Sequence, residues 1–113
     1  MTKPCSGFTC PVEATISLIG GKYKAVILWH LMGSTLRYSE LHRKMPKATD
    51  KMLAQQLREL EKDGLIHRTV YPVVPPKTEY CLTEQGRTLA PILDALCDWG
   101  EHYLLEIKNK GCQ

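Results

Sequence analysis

The chain has 113 residues, 43% of them apolar and 24% charged, and a net charge of +3; this is the composition of one ordinary globular domain and excludes disordered and fibrous classes. No apolar run approaches the ~20 residues that cross a bilayer, and the N-terminal MTKPCSGFTCPVE lacks the apolar core of a signal peptide, so a cytoplasmic protein with no membrane partner is expected. The five cysteines are odd in number, form no C-x-x-C, and leave Cys5 and Cys10 without a histidine at matching spacing, so neither a disulfide framework nor a metal or other cofactor is expected.

In chain order, Pro11 stands where proline favours the first position of a helix, and Val12, Ile16 and Ile19 follow on one helical face. Gly20 and Gly21 stop that helix. A second, nearly all-apolar helix covers KYKAVILWHLM, with Ala25, Leu28, Trp29 and Met32 on one side; it should be central, and Gly33 ends it. Thr35 to Tyr38 is a short β-prone stretch, and Ser39 is the expected N-cap of ELHRKM, which Pro46 closes. Thr49 caps the next helix, and Gly64 follows it as the residue that reverses the chain. Two strands, LIHRTVY and KTEYCLT, flank a connection that holds three prolines. Thr83 caps a last helix with Leu89, Ile92, Leu93, Leu96, Trp99, Tyr103 and Ile107 on one stripe and a kink at Pro91. The order α-α-β-α-α-β-β-α is mainly α with a small β-sheet, an α+β chain with the layout of a winged helix-turn-helix.

Charge follows this layout. Residues 37–77 carry nine Lys or Arg against five Asp or Glu, whereas residues 78–113 carry three against six. The positive charge therefore sits on the helix-turn-helix (about 39–63) and the wing (about 65–83), as it does where a chain meets phosphate. On the helix from Thr49, a period of about 100° per residue sends Leu53, Leu57 and Leu60 inward and Lys51, Gln55, Arg58 and Lys62 outward. A solvated outer face would also be polar. This one has no acid at its centre, although Glu59 lies at its edge. Thr49, Lys51, Met52, Gln55 and Gln56 have the chemistry of base reading in double-stranded DNA: Gln bonds adenine, Lys bonds guanine, and Met or Thr methyls touch the thymine methyl. Arg37, Ser39, Arg43, Lys44 and Arg58 are candidate phosphate ligands. Arg68 and Lys77 are expected to flank a basic hairpin tip, either approaching the DNA or protecting an exposed strand edge.

Enzymatic chemistry finds no footing. His30, His42, His67 and His102 are scattered over four elements, and no Gly-rich phosphate loop, G-x-S-x-G or H-E-x-x-H occurs. A winged helix used only as a protein–protein module remains the alternative, since fold alone does not determine function.

The segments CPVEATISLIGGKYKAVILWHL, LRYSELHRKM, KMLAQQLRELEKDGLIHRTVYPVVPPKTEYCLTEQGRTL and LDALCDWG together resemble the HxlR-type transcriptional regulators, a group related to the MarR-like winged helices. The resemblance spans roughly residues 10–100. It implies a homodimeric DNA-binding regulator of bacteria or archaea, with the helix at 49–63 in the major groove and the loop at 72–77 as the wing. It also implies dimerisation through about 5–19 and 84–110, which makes Leu93, Leu96, Cys97, Trp99, Gly100 and Tyr103 the expected interface on the last helix. Some members of the family sense electrophiles or oxidants through a cysteine in the C-P-V-E segment, here Cys10. As an N-cap, Cys10 would have its thiolate favoured by the helix dipole, opposed by Glu13 and helped by Lys22 and Lys24 if they lie near. Equally, it would serve as a small apolar residue under the dimer helices. Cys5 or Cys112 would then be resolving thiols.

Overall fold

A computed structural model describes residues 10–109. Helix α1 (Pro11–Ile19) opens on Cys10, whose extended backbone and Sγ, 3.4 Å from the Glu13 amide, cap the first turn. Helix α2 (Lys24–Leu31) buries Lys24, Ile27, Leu28 and Leu31. The face expected from periodicity, which included Trp29, is rotated: α2 packs against four neighbouring helices and a strand, and in that crowding Trp29 is left exposed.

Strand β1 (Leu36–Arg37) leads directly into helix α3 (Tyr38–Lys44), capped at Arg37 and not at Ser39. The Glu40 carboxylate accepts from the Arg37 amide at 2.8 Å, so the helix starts before Ser39, which is left exposed in the first turn. Helix α4 (Asp50–Lys62) begins as read: Thr49 Oγ1 accepts from the Met52 amide at 3.1 Å. Leu53, Leu57 and Leu60 are buried on its inner face, and Gly64 turns the chain at φ 78°.

Strands β2 (Ile66–Tyr71) and β3 (Lys77–Leu82) form the antiparallel hairpin, and β1 joins it on the far side in the order β1-β3-β2. The register pairs Arg68 with Tyr80 and Tyr71 with Lys77. Thr83 Oγ1 donates to Gly64 O at 2.6 Å and accepts from the Gly86 amide at 3.0 Å, tying helix α5 (Glu84–Arg87) to the turn after α4. The expected single kinked helix is two helices, with α6 running Ala90–Asn109. Pro91 is its second residue, where a missing N–H costs no hydrogen bond, so the chain breaks where a kink was expected.

The core gathers Ile27, Leu28, Leu31, Leu41, Leu53, Leu57, Leu60 and Leu65 between α2, α3, α4 and the sheet. Leu93, expected at a subunit interface, lies in this core at 2% exposure. The result is a winged helix-turn-helix of mixed α+β class. No helix among the described residues is long and apolar enough to cross a membrane.

Candidate nucleic-acid interface

The outer face of α4 carries Lys51, Gln55, Arg58 and Lys62, all exposed. Its charge is shaped from beneath. Lys24 is only 7% exposed, and its Nζ lies 2.7 Å from Glu59 Oε1. Hydrogen bonds from Lys24 and then from Gln55 hold the Glu59 carboxyl below the usual carboxylate range. The one acid at the edge of the reading face is thus neutralised. Sequence reasoning missed this pair; its signal was a lone cation in an otherwise apolar helix. Gln55 Nε2 donates to Glu59 Oε2 at 3.2 Å and remains at the surface.

Gln56 does not share that face. Its Oε1 accepts from the Tyr23 amide at 3.1 Å, which commits its acceptor to the α1–α2 turn. Gly21 makes room for it, because a Cβ there would stand 2.5 Å from Gln56 Oε1. The expectation that Gln56 points at bases is therefore corrected: a donor without a partner in the turn drew the amide inward. Met52 is half-buried, and the Thr49 hydroxyl is engaged as the cap.

The turn between α3 and α4 is braced by a polar chain. Tyr38 OH donates to Asp50 Oδ1 at 2.9 Å, His42 Nδ1 lies 3.1 Å from the same oxygen, and His42 Nε2 lies 2.9 Å from Ala48 O. Burial, and then the hydrogen bond to Asp50, push the Tyr38 phenol up to about 12. Arg37, Ser39, Arg43 and Lys44 are exposed around this brace.

The hairpin differs from expectation at its tip. Arg68 stands in mid-strand opposite Tyr80, with Nε 3.5 Å from Glu61 Oε1. Only Lys77 flanks the turn, its Nζ 5.0 Å from the centre of the Tyr71 ring. The apex itself is Val73, Val74, Pro75 and Pro76, apolar and not basic.

A family model for HxlR-like helix-turn-helix proteins matches residues 18–108. The chain belongs to the HxlR-like helix-turn-helix family. It is a transcriptional regulator with a helix-turn-helix DNA-binding fold. An HTH-type transcriptional regulator of Methanothermobacter thermautotrophicus is 52% identical over 104 residues, covering 92% of this chain and 79% of that one. The HTH-type regulator YtcD of Bacillus subtilis is 58% identical over 97 residues, covering 86% and 77%. Among solved structures, the redox regulator HypR in its oxidized form is 52% identical with a TM-score of 0.79, covering 82% of this chain and 96% of that one.

The thiols of this HxlR-like chain differ in setting. Cys10 is exposed at the start of α1. Lys24, expected as a compensating charge beside it, is instead committed to Glu59. Cys97 is half-buried, and burial together with Glu101, Asp98 and Asp94 pushes its thiol up, away from reactivity. Cys81 is half-buried on β3. Cys5 and Cys112 lie outside the described residues. Large apolar side chains are left exposed on three helices: Val12 and Ile16 of α1, Trp29 of α2, and Leu96, Trp99 and Tyr103 of α6; Trp29, Leu96 and Cys97 line one shallow depression between α2 and α6. Trp99 and Tyr103 stack at 5.3 Å, and Gly100 between them faces open space.

Proposed function

We propose that this HxlR-like regulator binds an inverted-repeat operator as a homodimer, with α4 in the major groove. The observation that carries the reading is the outer face of α4, where Lys51, Gln55, Arg58 and Lys62 are exposed and Lys24 neutralises the nearest acid. Lys51 and Gln55 read base edges, with methyl contacts from Thr49 and Met52. Arg37, Ser39, Arg43, Lys44, Arg58, Arg68 and Lys77 contact the backbone and give affinity without sequence information. The exposed apolar side chains of α1 and α6 support the dimer, since large apolar groups left open to water on a protomer mark an interface. Leu96, Cys97, Trp99, Gly100 and Tyr103 belong to it, and Leu93 does not. A two-fold dimer sets its reading helices about 34–36 Å apart, or a multiple of that.

Cys10 is the candidate for the signal. It is exposed, its sulfur sits at the positive end of α1, and α1 belongs to the proposed interface. HypR is a redox regulator, which supports the same reading here. A quinone would react by addition: the Cys10 thiolate forms a C–S bond, and the ring takes up a proton to become the hydroquinone. The adduct, placed at the subunit contact, shifts the dimer between binding and non-binding forms.

The test is an electrophoretic shift with sheared genomic DNA, with and without excess competitor, over a range of salt. Selective retention of a few fragments, weakening steeply with salt, is expected. Equal retention of every fragment refutes base reading.

A further inference from the structure

We propose that Lys24 and Glu59 are positioning residues that fix Gln55 as a reader of adenine, so that an ion pair beneath the reading helix sets the base preference at one position of each half-site. The proposal rests on the DNA-binding reading above and names the base that one of its side chains selects.

The two oxygens of the Glu59 carboxylate have different partners. Oε1 lies 2.7 Å from Lys24 Nζ, and Oε2 accepts from Gln55 Nε2 at 3.2 Å. Lys24 is buried and Gln55 is exposed, so the carboxylate joins the interior to the reading face. The stem of Lys24 is confined by the α1–α2 turn: a Cβ on Gly21 would stand 2.9 Å from its Cδ and 3.0 Å from its Cε. Gln55 precedes Glu59 by four residues on α4, the spacing at which side chains on a helix meet.

An ionised carboxylate only accepts hydrogen bonds, so it takes the Gln55 amide by its NH2 end and never by its oxygen. That settles a choice a free glutamine leaves open. With one N–H given to Glu59, Gln55 keeps one N–H and its carbonyl oxygen, which have no other partner among the described residues. When the bonded N–H is the one trans to the oxygen, the remaining donor and the acceptor stand side by side. Within one base pair only adenine answers both, since its N6–H donates to the oxygen and its N7 accepts the N–H. Guanine presents acceptors at both N7 and O6, so the Gln55 oxygen would face one of them. Cytosine has only the N4 donor and thymine only the O4 acceptor, and each leaves half of the amide unmatched. A glutamine free to turn could give both N–H groups to guanine; the bond to Glu59 takes that arrangement away.

Lys24 is what lets the acid stay at this surface. A carboxylate with no cation beside it would repel phosphates. Lys24 offsets its charge from inside the protein and leaves the groove to Gln55. A side chain already held also loses less rotamer freedom on binding.

The experiment measures binding of the full chain by fluorescence anisotropy. It uses a duplex recovered from sheared genomic DNA and the complete set of its single base-pair substitutions. The position at which Gln55→Ala loses its preference is the one Gln55 reads. There the wild type should favour adenine over guanine by about tenfold or more. Replacing that adenine by 7-deazaadenine, which lacks the N7 acceptor, should weaken the wild type. The double variant Lys24→Met/Glu59→Ala removes the pair without stranding a buried charge. It should bring guanine to within about threefold of adenine at that position and move preferences elsewhere by less than about twofold. Urea unfolding of the same preparation supplies the folded fraction by which its affinities are scored. An undiminished adenine preference in the double variant overturns the proposal. So does a wild type that prefers another base there or ignores 7-deazaadenine, a result that needs no variant of the pair to fold. A cytosine preference lost from the double variant in place of the adenine preference would make Glu59 itself the reader and overturn it too. In each of these cases Gln55 still reads DNA. If Gln55→Ala changes the preference at no position, base reading by Gln55 falls and the proposal falls with it.

Discussion

Gln55 and Gln56 are adjacent, chemically identical and predicted to fail in opposite ways. Gln56→Ala removes the acceptor of the Tyr23 amide, which then stands half-buried without a protein partner. A buried unsatisfied donor costs about 1–3 kcal/mol, and partial access to water places this one near the lower half, about 1–2 kcal/mol. For a domain of this size that is a fall in Tm of about 4–8 °C. Gln55→Ala removes only an exposed bond to Glu59 and should change stability by less than about 0.5 kcal/mol. On DNA the order reverses. Gln55→Ala should lose about 1–3 kcal/mol of discrimination between the recovered operator and random duplex. Gln56→Ala, scored per folded molecule, should keep most of it. Urea unfolding and anisotropy on both duplexes supply the four numbers. A Gln56→Ala protein of wild-type stability with discrimination lost would refute the assignment of Gln56 to the turn.

Gly86→Ala sets two effects against each other. Alanine is the better helix former by about 1 kcal/mol, but a Cβ at this buried glycine would overlap the Leu65 carbonyl oxygen, backbone that cannot rotate away. Overpacking of this kind costs about 1–3 kcal/mol, so a lower Tm is expected, and a higher one refutes the packing of α5 on the turn after α4. The Tyr38 phenol, raised to about 12, favours the folded state in its neutral form; that contribution is full below the ordinary phenol range and is lost as pH rises through about 12. Asp50→Asn should lower this titration without returning it to the ordinary value, because burial is the larger cause; an unchanged tyrosinate absorbance titration would remove Asp50 from the brace. Leu96→Glu should give a folded monomer by sedimentation, since the side chain is exposed in the protomer; a charged variant that still dimerises would move the interface elsewhere. Cys10→Ser should bind DNA as the wild type does and no longer respond to diamide or quinone, and a normal response would exclude Cys10 as the sensor.

Much of the fold was legible because local rules and tertiary packing agreed. Thr49, Thr83 and Pro11 start helices by chemistry that acts within one turn, and Gly64 reverses the chain because its φ of 78° disfavours side chains. The leucines of α4 declared their inner face by spacing alone. The expected start of α3 failed where two local signals competed. Ser39 is a good cap, but Glu40 reaches back to the Arg37 amide and starts the helix earlier. The face of α2 was illegible because the helix is apolar nearly all round, so only its neighbours could choose which side to bury.

By itself, then, the sequence determined the order of elements, the inner face of α4 and the positive charge over the reading segment. These follow from short-range geometry, capping and composition. Tertiary structure alone decided which polar groups on that segment are free. Lys24 reaches from α2 to neutralise Glu59, the Tyr23 amide draws Gln56 out of the reading face, and Leu93 is claimed by the core. It also put an apolar apex where flanking cations had suggested a basic one, because the strand register, and not proximity in sequence, sets which residues reach the tip.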